Sequence, residues 1–222
     1  MLDTVVFDLD GTLLDTLGDL RASVNHALAK RGHPLRTPNE IRAFLGNGAK
    51  RLITLSAPEG TDEREIERLL ALFNDHYALH ALDSTAPYDG ILPLLSDLKR
   101  EGFRVAVVSN KPDYGVRSLC DRFFKNEISF CLGQREELPK KPAPDMLFAA
   151  LRALESAPEH ALYVGDSEVD LQTAKNAGIR CLAVNWGFRS EKQLLEAGAT
   201  KTFSSPQQLY EEILHLRRER TS

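Results

Sequence analysis

The amino-acid sequence predicts an α/β protein whose doubly wound, mainly parallel sheet carries an inserted helical unit. Several short apolar runs are continuous, not alternating, which is typical of strands covered on both faces. Amphipathic helical patterns separate these runs, and such alternation is typical of a parallel sheet flanked by helices. One long segment, residues 17–86, contains no convincing strand pattern. These observations together favour an open sheet with an insertion over an all-helical or all-β chain.

Four apolar runs predict the strands of the sheet. They are residues 4–7, 104–108, 161–164 and 180–184. The first three runs stop at polar residues, namely Asp8, Ser109 and Gly165-Asp166. Because ligands of doubly wound sheets bind outside the carboxyl ends of the strands, we expect these polar side chains to lie close together.

Helices are predicted between and after these strands. Apolar residues recur at helical spacing over residues 91–100, 145–155 and 169–177, and Gly102 and Gly178 are natural C-caps for the first and the third. Ser205 followed by Pro206 predicts an N-cap and a first helical position, opening a helix to about Arg218.

The segment 17–86 is predicted to be helical throughout. A helix over 17–31 ends at Gly32, a sharp turn follows at 46–48 (sequence GNG), and Asp62 with Glu65 resembles a capping box. One apolar stripe follows that box, consisting of Ile66, Leu69, Leu70, Phe73 and Tyr77. We interpret residues 17–86 as a helical cap domain inserted after the first strand, and residues 1–16 with 87–222 as the α/β core domain. The alternative is a decorated crossover connection.

Composition restricts the class of protein. The chain has 222 residues, 42% of them hydrophobic and 27% charged, with a formal net charge of −4. A mildly acidic chain carries no electrostatic footprint for nucleic acid or for an anionic membrane. The three cysteines, Cys120, Cys131 and Cys181, form no CxxC pair, which favours free thiols over a disulfide framework or a zinc site. With no signal peptide or membrane-spanning run in the sequence, we expect a cytoplasmic protein, monomeric or homodimeric.

The first polar cluster is residues 8–12 (sequence DLDGT), directly after the first predicted strand. Aspartate is a poor strand former, so Asp8 and Asp10 at this place need an explanation. A turn is one explanation, since Asp-Gly is a common turn pair. Chemistry is another: one carboxylate can be a nucleophile, and a second, two positions further on, can donate and accept a proton.

Three further clusters follow in order. Residues 109–111 (SNK) offer a hydroxyl, an amide and backbone N–H groups to a phosphate, although a plain polar turn explains them equally well. Lys141, restrained by Pro142, is preferred over Lys140 as a lysine that reaches a carboxylate cluster. Asp166 and Asp170 lie one helical turn apart, a spacing that suits a hard cation.

The expected charge of this site favours catalysis over structure. Asp8, Asp10, Asp166 and Asp170 would meet at one sheet edge, and two carboxylates about 4 Å apart repel by roughly 4 kcal/mol at an effective dielectric of 20. A divalent cation and Lys141 would compensate this repulsion. Mg²⁺ prefers carboxylates together with substrate phosphate, so the clusters predict a magnesium site.

These four clusters, in this order, resemble the haloacid dehalogenase superfamily, and within it phosphoglycolate phosphatase-type enzymes. The resemblance covers nearly the whole chain and implies a Rossmann-like core with an inserted helical cap. It also implies a Mg²⁺-dependent phosphatase acting on a small phosphorylated metabolite through an aspartyl phosphate. Each implied role falls on a residue of the clusters. Asp8 is similar to the nucleophile, Asp10 to the general acid/base and Lys141 to the lysine that stabilises the phosphorylated nucleophile. The metal would be held or supported by Asp8, the Asp10 carbonyl, Asp166 and Asp170. The substrate would be bound by Thr12, Ser109 and Asn110.

Some of the chain departs from the phosphoglycolate phosphatase pattern. Ala143 stands where histidine is frequent, and residues 132–134 (LGQ) replace an acidic stretch. These departures concern the substrate and not the core chemistry. The alternatives to a phosphoglycolate phosphatase are a sugar phosphomutase, which the GNG turn disfavours, a pyrophosphatase or a sugar-phosphate phosphatase. A dehalogenase would lack Asp10, and a non-catalytic relative would be expected to have lost one of the catalytic residues. Lys50 and Arg51, just after the GNG turn, are candidates for binding a substrate carboxylate, and a solvated helix start explains them equally well.

Overall fold

The computed structural model describes residues 2–219, and its main feature is a six-stranded parallel sheet. The strands are β1 (Thr4–Phe7), β2 (Leu14–Asp15), β3 (Ala86–Pro87), β4 (Arg104–Pro112), β5 (Phe130–Gln134), β6 (Ala161–Gly165), β7 (Arg180–Val184) and β8 (Thr202–Phe203). The sheet has the order β5-β4-β1-β6-β7-β8 with parallel neighbours, and β2 and β3 form a separate pair. The predicted doubly wound α/β fold is confirmed.

Ten α-helices lie in the described part of the chain. They are α1 (Leu17–Lys30), α2 (Pro38–Phe44), α3 (Ala49–Ser56), α4 (Glu63–His80), α5 (Ile91–Arg100), α6 (Asp113–Phe123), α7 (Asp145–Ala153), α8 (Glu168–Ala177), α9 (Glu191–Glu196) and α10 (Pro206–Glu219). None of them combines the length and the apolarity that crossing a membrane requires.

The sheet has a hydrophobic core on each face. Val5 and Phe7 of β1 pack in one core with residues of α5, α6 and α10. Val6, between them, packs in the other core with residues of α7 and α8. This alternation of side chains across a strand gives three layers, with helices on both faces of the sheet. Continuous apolar runs are needed for such strands, because both faces are buried.

Several boundaries differ from the prediction. Strand β4 continues past residue 108 to Pro112, with a shift of its register against β5 between Val108 and Pro112. Helix α7 ends at Ala153, two residues early, and Glu155 adopts a left-handed φ of 51°. Strands β5 and β8 and helix α6 were not predicted; β5 is a partly exposed edge strand, and Gly115 interrupts the apolar pattern of α6.

The chain separates into two compact units. One contains the described residues up to Leu14 and from Pro87 onward, and the other is Asp15–Ala86. In this second, inserted unit, helices α1 and α4 pack together, and the buried carboxylate of Asp19 near the start of the unit accepts hydrogen bonds from Ser84 and Thr85 near its end. These hydrogen bonds therefore join the beginning of the inserted unit to its end.

A row of three histidine rings lies between α1 and α4. The ring centroids of His26 and His76 are 4.1 Å apart, and those of His76 and His80 are 4.2 Å apart. His76 Nδ1 is 3.0 Å from the hydroxyl of Ser23, and His80 Nδ1 is 2.8 Å from Asp83. Burial lowers the pKa of His76, and the neighbouring rings of His26 and His80 lower it further. His76, the middle ring, therefore packs best as a neutral imidazole.

Candidate active site

The site begins where β1 ends. The N–H of Asp8 donates to the carbonyl of Val164 at 2.8 Å, so the backbone of Asp8 is still held by the neighbouring strand β6. After Asp8 the chain turns sharply, with the carbonyl of Leu9 accepting from the N–H groups of Leu13 and Leu14 at 3.0 Å. Asp8 is buried and projects from a backbone that is fixed on both sides.

Lys141 lies against this carboxylate. Its Nζ donates to Asp8 Oδ1 at 2.7 Å and to Asp170 Oδ1 at 2.8 Å, and only 2% of the residue is exposed. The side-chain amide of Asn110 accepts from the Lys141 N–H at 2.8 Å and donates to its carbonyl at 3.0 Å. Asn110 therefore fixes the backbone that carries Lys141. The choice of Lys141 over Lys140 agrees with this geometry.

Three carboxylates converge at the same edge of the sheet. One oxygen from each of Asp8, Asp166 and Asp170 lies within 4.8 Å of the other two, and all three residues are buried. Asp166 follows β6, and Asp170 lies in the first turn of α8, as the sequence predicted. Carboxylate oxygens at this spacing suit a hard divalent cation.

Asp166 is enclosed by backbone. Its Oδ2 accepts the N–H of Phe188 at 2.6 Å, and its Oδ1 accepts the hydroxyl of Thr12 at 3.4 Å. A Cβ at Gly11 or at Gly187 would lie 2.4 Å from Asp166 Oδ2, so neither position has room for a side chain. These two glycines let the chain approach the carboxylate from both sides.

Asp170 is held by residues that were not predicted as part of the site. Its Oδ1 accepts the hydroxyl of Tyr163 at 2.9 Å, and its Oδ2 accepts the hydroxyl of Ser167 at 2.6 Å. Tyr163 also accepts from Lys141 Nζ at 2.9 Å. Both oxygens of Asp170 therefore have hydrogen-bond partners within the protein. The one sequence signal for Tyr163 was a tyrosine in a fully buried strand, whose hydroxyl needs a partner.

Burial disfavours the charged forms of Asp8, Asp166 and Lys141 and so shifts their pKa values. It raises the pKa of Asp8 to about 7, although the Lys141 ammonium opposes this rise. Burial, together with the charges of Asp170 and Asp8, holds the pKa of Asp166 well above its usual range. Burial alone would lower the pKa of Lys141, but the two carboxylates beside it raise that pKa above its ordinary value. Lys141 supplies one positive charge against three carboxylates, and the nearby buried Arg189 is paired with Glu168. A bound cation would supply the remaining positive charge.

Asp10 does not belong to this group of three carboxylates, although its charge acts on Asp8. Lys111 Nζ donates to its Oδ1 at 3.0 Å and to its Oδ2 at 3.1 Å. Lys111 belongs to the predicted SNK cluster, but no role of its side chain was predicted. The hydroxyl of Ser109, in the same cluster, accepts the N–H of Lys111 at 3.2 Å. Trp186 Nε1 donates to the carbonyl of Thr12 at 3.0 Å and so packs against the loop that carries Asp10.

The two candidate residues of the inserted unit differ in their contacts. Lys50 Nζ is paired with Glu63 at 2.5 Å and with Glu67 at 2.7 Å. Arg51 is exposed, and within residues 2–219 its side chain forms no ion pair or hydrogen bond. Of the two, Arg51 is therefore the one available to bind an anion.

Comparison with known proteins identifies the relatives of this chain. The family model described as haloacid dehalogenase-like hydrolase matches residues 5–184. Phosphoglycolate phosphatase 1 of Pseudomonas aeruginosa is 37% identical over 203 residues, which cover 88% of this chain and 74% of that protein. A phosphoglycolate phosphatase of Cereibacter sphaeroides is 39% identical over 189 residues, covering 83% and 86% of the two chains. A crystal structure from Lactobacillus delbrueckii subsp. bulgaricus, a candidate phosphoglycolate phosphatase, is 35% identical with a TM-score of 0.92, covering 96% of this chain and 98% of that one.

Proposed function

Because this chain belongs to the family of haloacid dehalogenase-like hydrolases, we propose that it hydrolyses a small phosphate monoester by nucleophilic attack of Asp8. The observation that carries the proposal is the buried cluster of Asp8, Lys141, Asp166 and Asp170 at the carboxyl edge of the sheet. A structural site would not need three buried carboxylates beside a single ammonium that contacts only two of them, Asp8 and Asp170. A site that binds a cation and transfers a phosphoryl group does.

Asp8 is the proposed nucleophile. One of its oxygens, Oδ1, is held by Lys141, which leaves the other free to attack phosphorus. The bond from phosphorus to the leaving oxygen breaks, and an aspartyl phosphate forms. Lys141 then neutralises charge at the carboxyl group, and its position is fixed by Asn110 and Tyr163.

Asp10 is the proposed general acid and base. In the first step it gives a proton to the leaving oxygen. In the second it takes a proton from the water that attacks phosphorus, the bond from phosphorus to the Asp8 oxygen breaks, and inorganic phosphate leaves. Proton transfer of this kind contributes about 10²–10⁴ to the rate. Ser109 and Thr12, whose hydroxyls lie beside Lys111 and Asp166, are the proposed donors to the phosphoryl oxygens.

Mg²⁺ is the proposed cofactor, held by Asp8 and Asp166, with the Asp10 carbonyl as a further ligand and Asp170 in support. Three buried carboxylates fit this ion better than a softer metal, since neither histidine nor cysteine belongs to the cluster. When bound, the ion neutralises charge on the phosphoryl group.

The proposed substrate class is a small ester of the phosphoglycolate type, a phosphorylated metabolite that carries a carboxylate. Two observations support it: the names of the relatives and the unpaired Arg51 of the inserted unit, the proposed cap domain. The pairing of Lys50 with Glu63 and Glu67 favours Arg51 over Lys50 as the carboxylate ligand.

A phosphate-release screen tests the proposal. It compares phosphoglycolate, sugar phosphates and pyrophosphate, each with Mg²⁺ and with EDTA, for the wild type, Asp8→Asn and the exposed control Asp121→Asn. We expect Mg²⁺-dependent release that Asp8→Asn abolishes and Asp121→Asn retains. Release from no ester by a folded wild type contradicts the proposal, and isomerisation of a sugar phosphate without net release would indicate a mutase.

A further inference from the structure

A second lysine, Lys111, holds the carboxylate of Asp10. Its side chain is only 5% exposed, against 18% for that of Asp10, and its ammonium contacts both carboxylate oxygens, at 3.0 Å and 3.1 Å. Removing an ammonium from water is unfavourable by several kcal/mol unless its partners compensate. A lysine with only a structural role would more easily lie at the surface, so this burial indicates a function at Asp10.

The stem and the backbone of Lys111 are closely packed against two glycines. Its aliphatic stem runs beside Gly115 of α6, where an added Cβ would lie 3.4 Å from Lys111 Cδ. Its carbonyl lies against Gly133 of β5, where an added Cβ would lie only 2.6 Å away. Asp113 accepts the N–H of Gly133 at 2.9 Å and so ties β5 to this segment. The structure therefore presents Lys111 on a rigid backbone.

A carboxylate bound through both oxygens has one orientation. Proton transfer to a leaving oxygen needs the acid at hydrogen-bond distance and in the right direction, and a displacement of about 1 Å can reduce the rate about a hundredfold. We propose that Lys111 is a positioning residue, which orients the Asp10 carboxylate for proton transfer and does not bind the transferred phosphoryl group. This inference rests on the proposed phosphatase function and adds a residue to its machinery.

The test is Lys111→Met, which keeps the length of the stem and removes the ammonium. For an alkyl phosphate ester we expect kcat to fall about tenfold to a hundredfold with KM nearly unchanged. Lys111→Arg, which keeps a cation with several N–H donors, should recover part of kcat. The matched control is Lys201→Met, since Lys201 forms an exposed pair with Glu212 at 2.9 Å, and it should retain wild-type rates.

The choice of leaving group distinguishes an effect of Lys111 that acts through Asp10 from an effect at Asp8. p-Nitrophenolate leaves without needing a proton, so its release in the first turnover, followed by stopped flow, should stay near the wild-type rate in Lys111→Met. Steady-state turnover should still fall, because Asp10 must activate water in the second step. In an Asp10→Asn background, Lys111→Met should cause no further loss, since the carboxylate that it orients is gone.

Each other outcome overturns the inference. A raised KM with kcat preserved would make Lys111 a substrate ligand, and a slow first turnover would place its effect at Asp8. Full activity of Lys111→Met, or an added loss in the Asp10→Asn background, would show that Asp10 does not depend on it. If Lys111→Met fails to fold by circular dichroism, Lys111→Gln decides by the same measurements. A wild type with no activity on any ester overturns the proposed function and this inference with it, whereas an active wild type with an unaffected variant overturns this inference alone.

Discussion

Replacing Lys141 by methionine should destabilise the core unit strongly in the absence of a divalent cation. The ammonium lies 2.7 Å from Asp8 and 2.8 Å from Asp170, and it is almost fully buried. Each contact is worth about 6 kcal/mol at an effective dielectric of 20. Most of this gain is offset by the desolvation of the ammonium, and breaking one buried ion pair typically destabilises a protein by about 3–5 kcal/mol. For a chain of this size, that loss corresponds to a melting temperature lower by about 6–20 °C.

The assay follows the fluorescence of Trp186, the only tryptophan of the chain, during urea unfolding in EDTA. Trp186 contacts the loop after β1, so its signal reports on the core unit. Tyr163→Phe is the control: it removes one hydroxyl from the same network and should destabilise by only about 1 kcal/mol. Mg²⁺ should stabilise Lys141→Met more than it stabilises the wild type, because the ion then supplies the missing positive charge. A loss below about 1 kcal/mol for Lys141→Met in EDTA would refute the reasoning.

Three further predictions concern the metal, the inserted unit and pH. Asp166→Asn should raise the Mg²⁺ concentration for half-maximal activity at least about tenfold. An unchanged Mg²⁺ titration would show that Asp166 is not a metal ligand. Arg51→Ala should raise KM for a carboxylate-bearing ester more than Lys50→Ala does, and equal effects in steady-state kinetics would contradict the preference for Arg51. The pKa of His76 is lowered in the folded state, so the folded protein binds fewer protons at this residue than the unfolded chain does. The stability that neutral His76 contributes is therefore present above about pH 6.5. It is lost as the pH falls below that value. His76→Gln should therefore flatten the fall in melting temperature between about pH 7 and pH 5, and a parallel curve would contradict this.

The sequence was most informative where one physical requirement dominates. Strands β1 and β7 were predicted with their bounds because strands covered on both faces need continuous apolar runs. Strand β5 was missed because it lies at the edge of the sheet and is only partly buried, so its residues carry no such run. Among the site residues, Asp8 and Asp166 stood out as acids placed directly after a buried strand.

Other residues of the site could not be found in this way, because their roles depend on contacts across the fold. Lys111 meets Asp10 from 101 positions away, and a lysine in a polar turn has no local signal of burial. Tyr163 reads as one more apolar residue of its strand, although its hydroxyl joins Lys141 to Asp170. Asn110 was predicted to bind phosphate, and the structure adds contacts to the backbone of Lys141 that spacing alone does not reveal.

The place of β1 in the sheet has a consequence for how the protein is made. This strand is made before the other strands of the sheet, yet it pairs with residues 104–107 on one side and residues 161–164 on the other. At about 5–20 residues per second, its second partner is synthesised on the order of ten seconds later. Until then at least one edge of the apolar strand that precedes Asp8 has no partner, and such an unpaired edge exposes the nascent chain to aggregation.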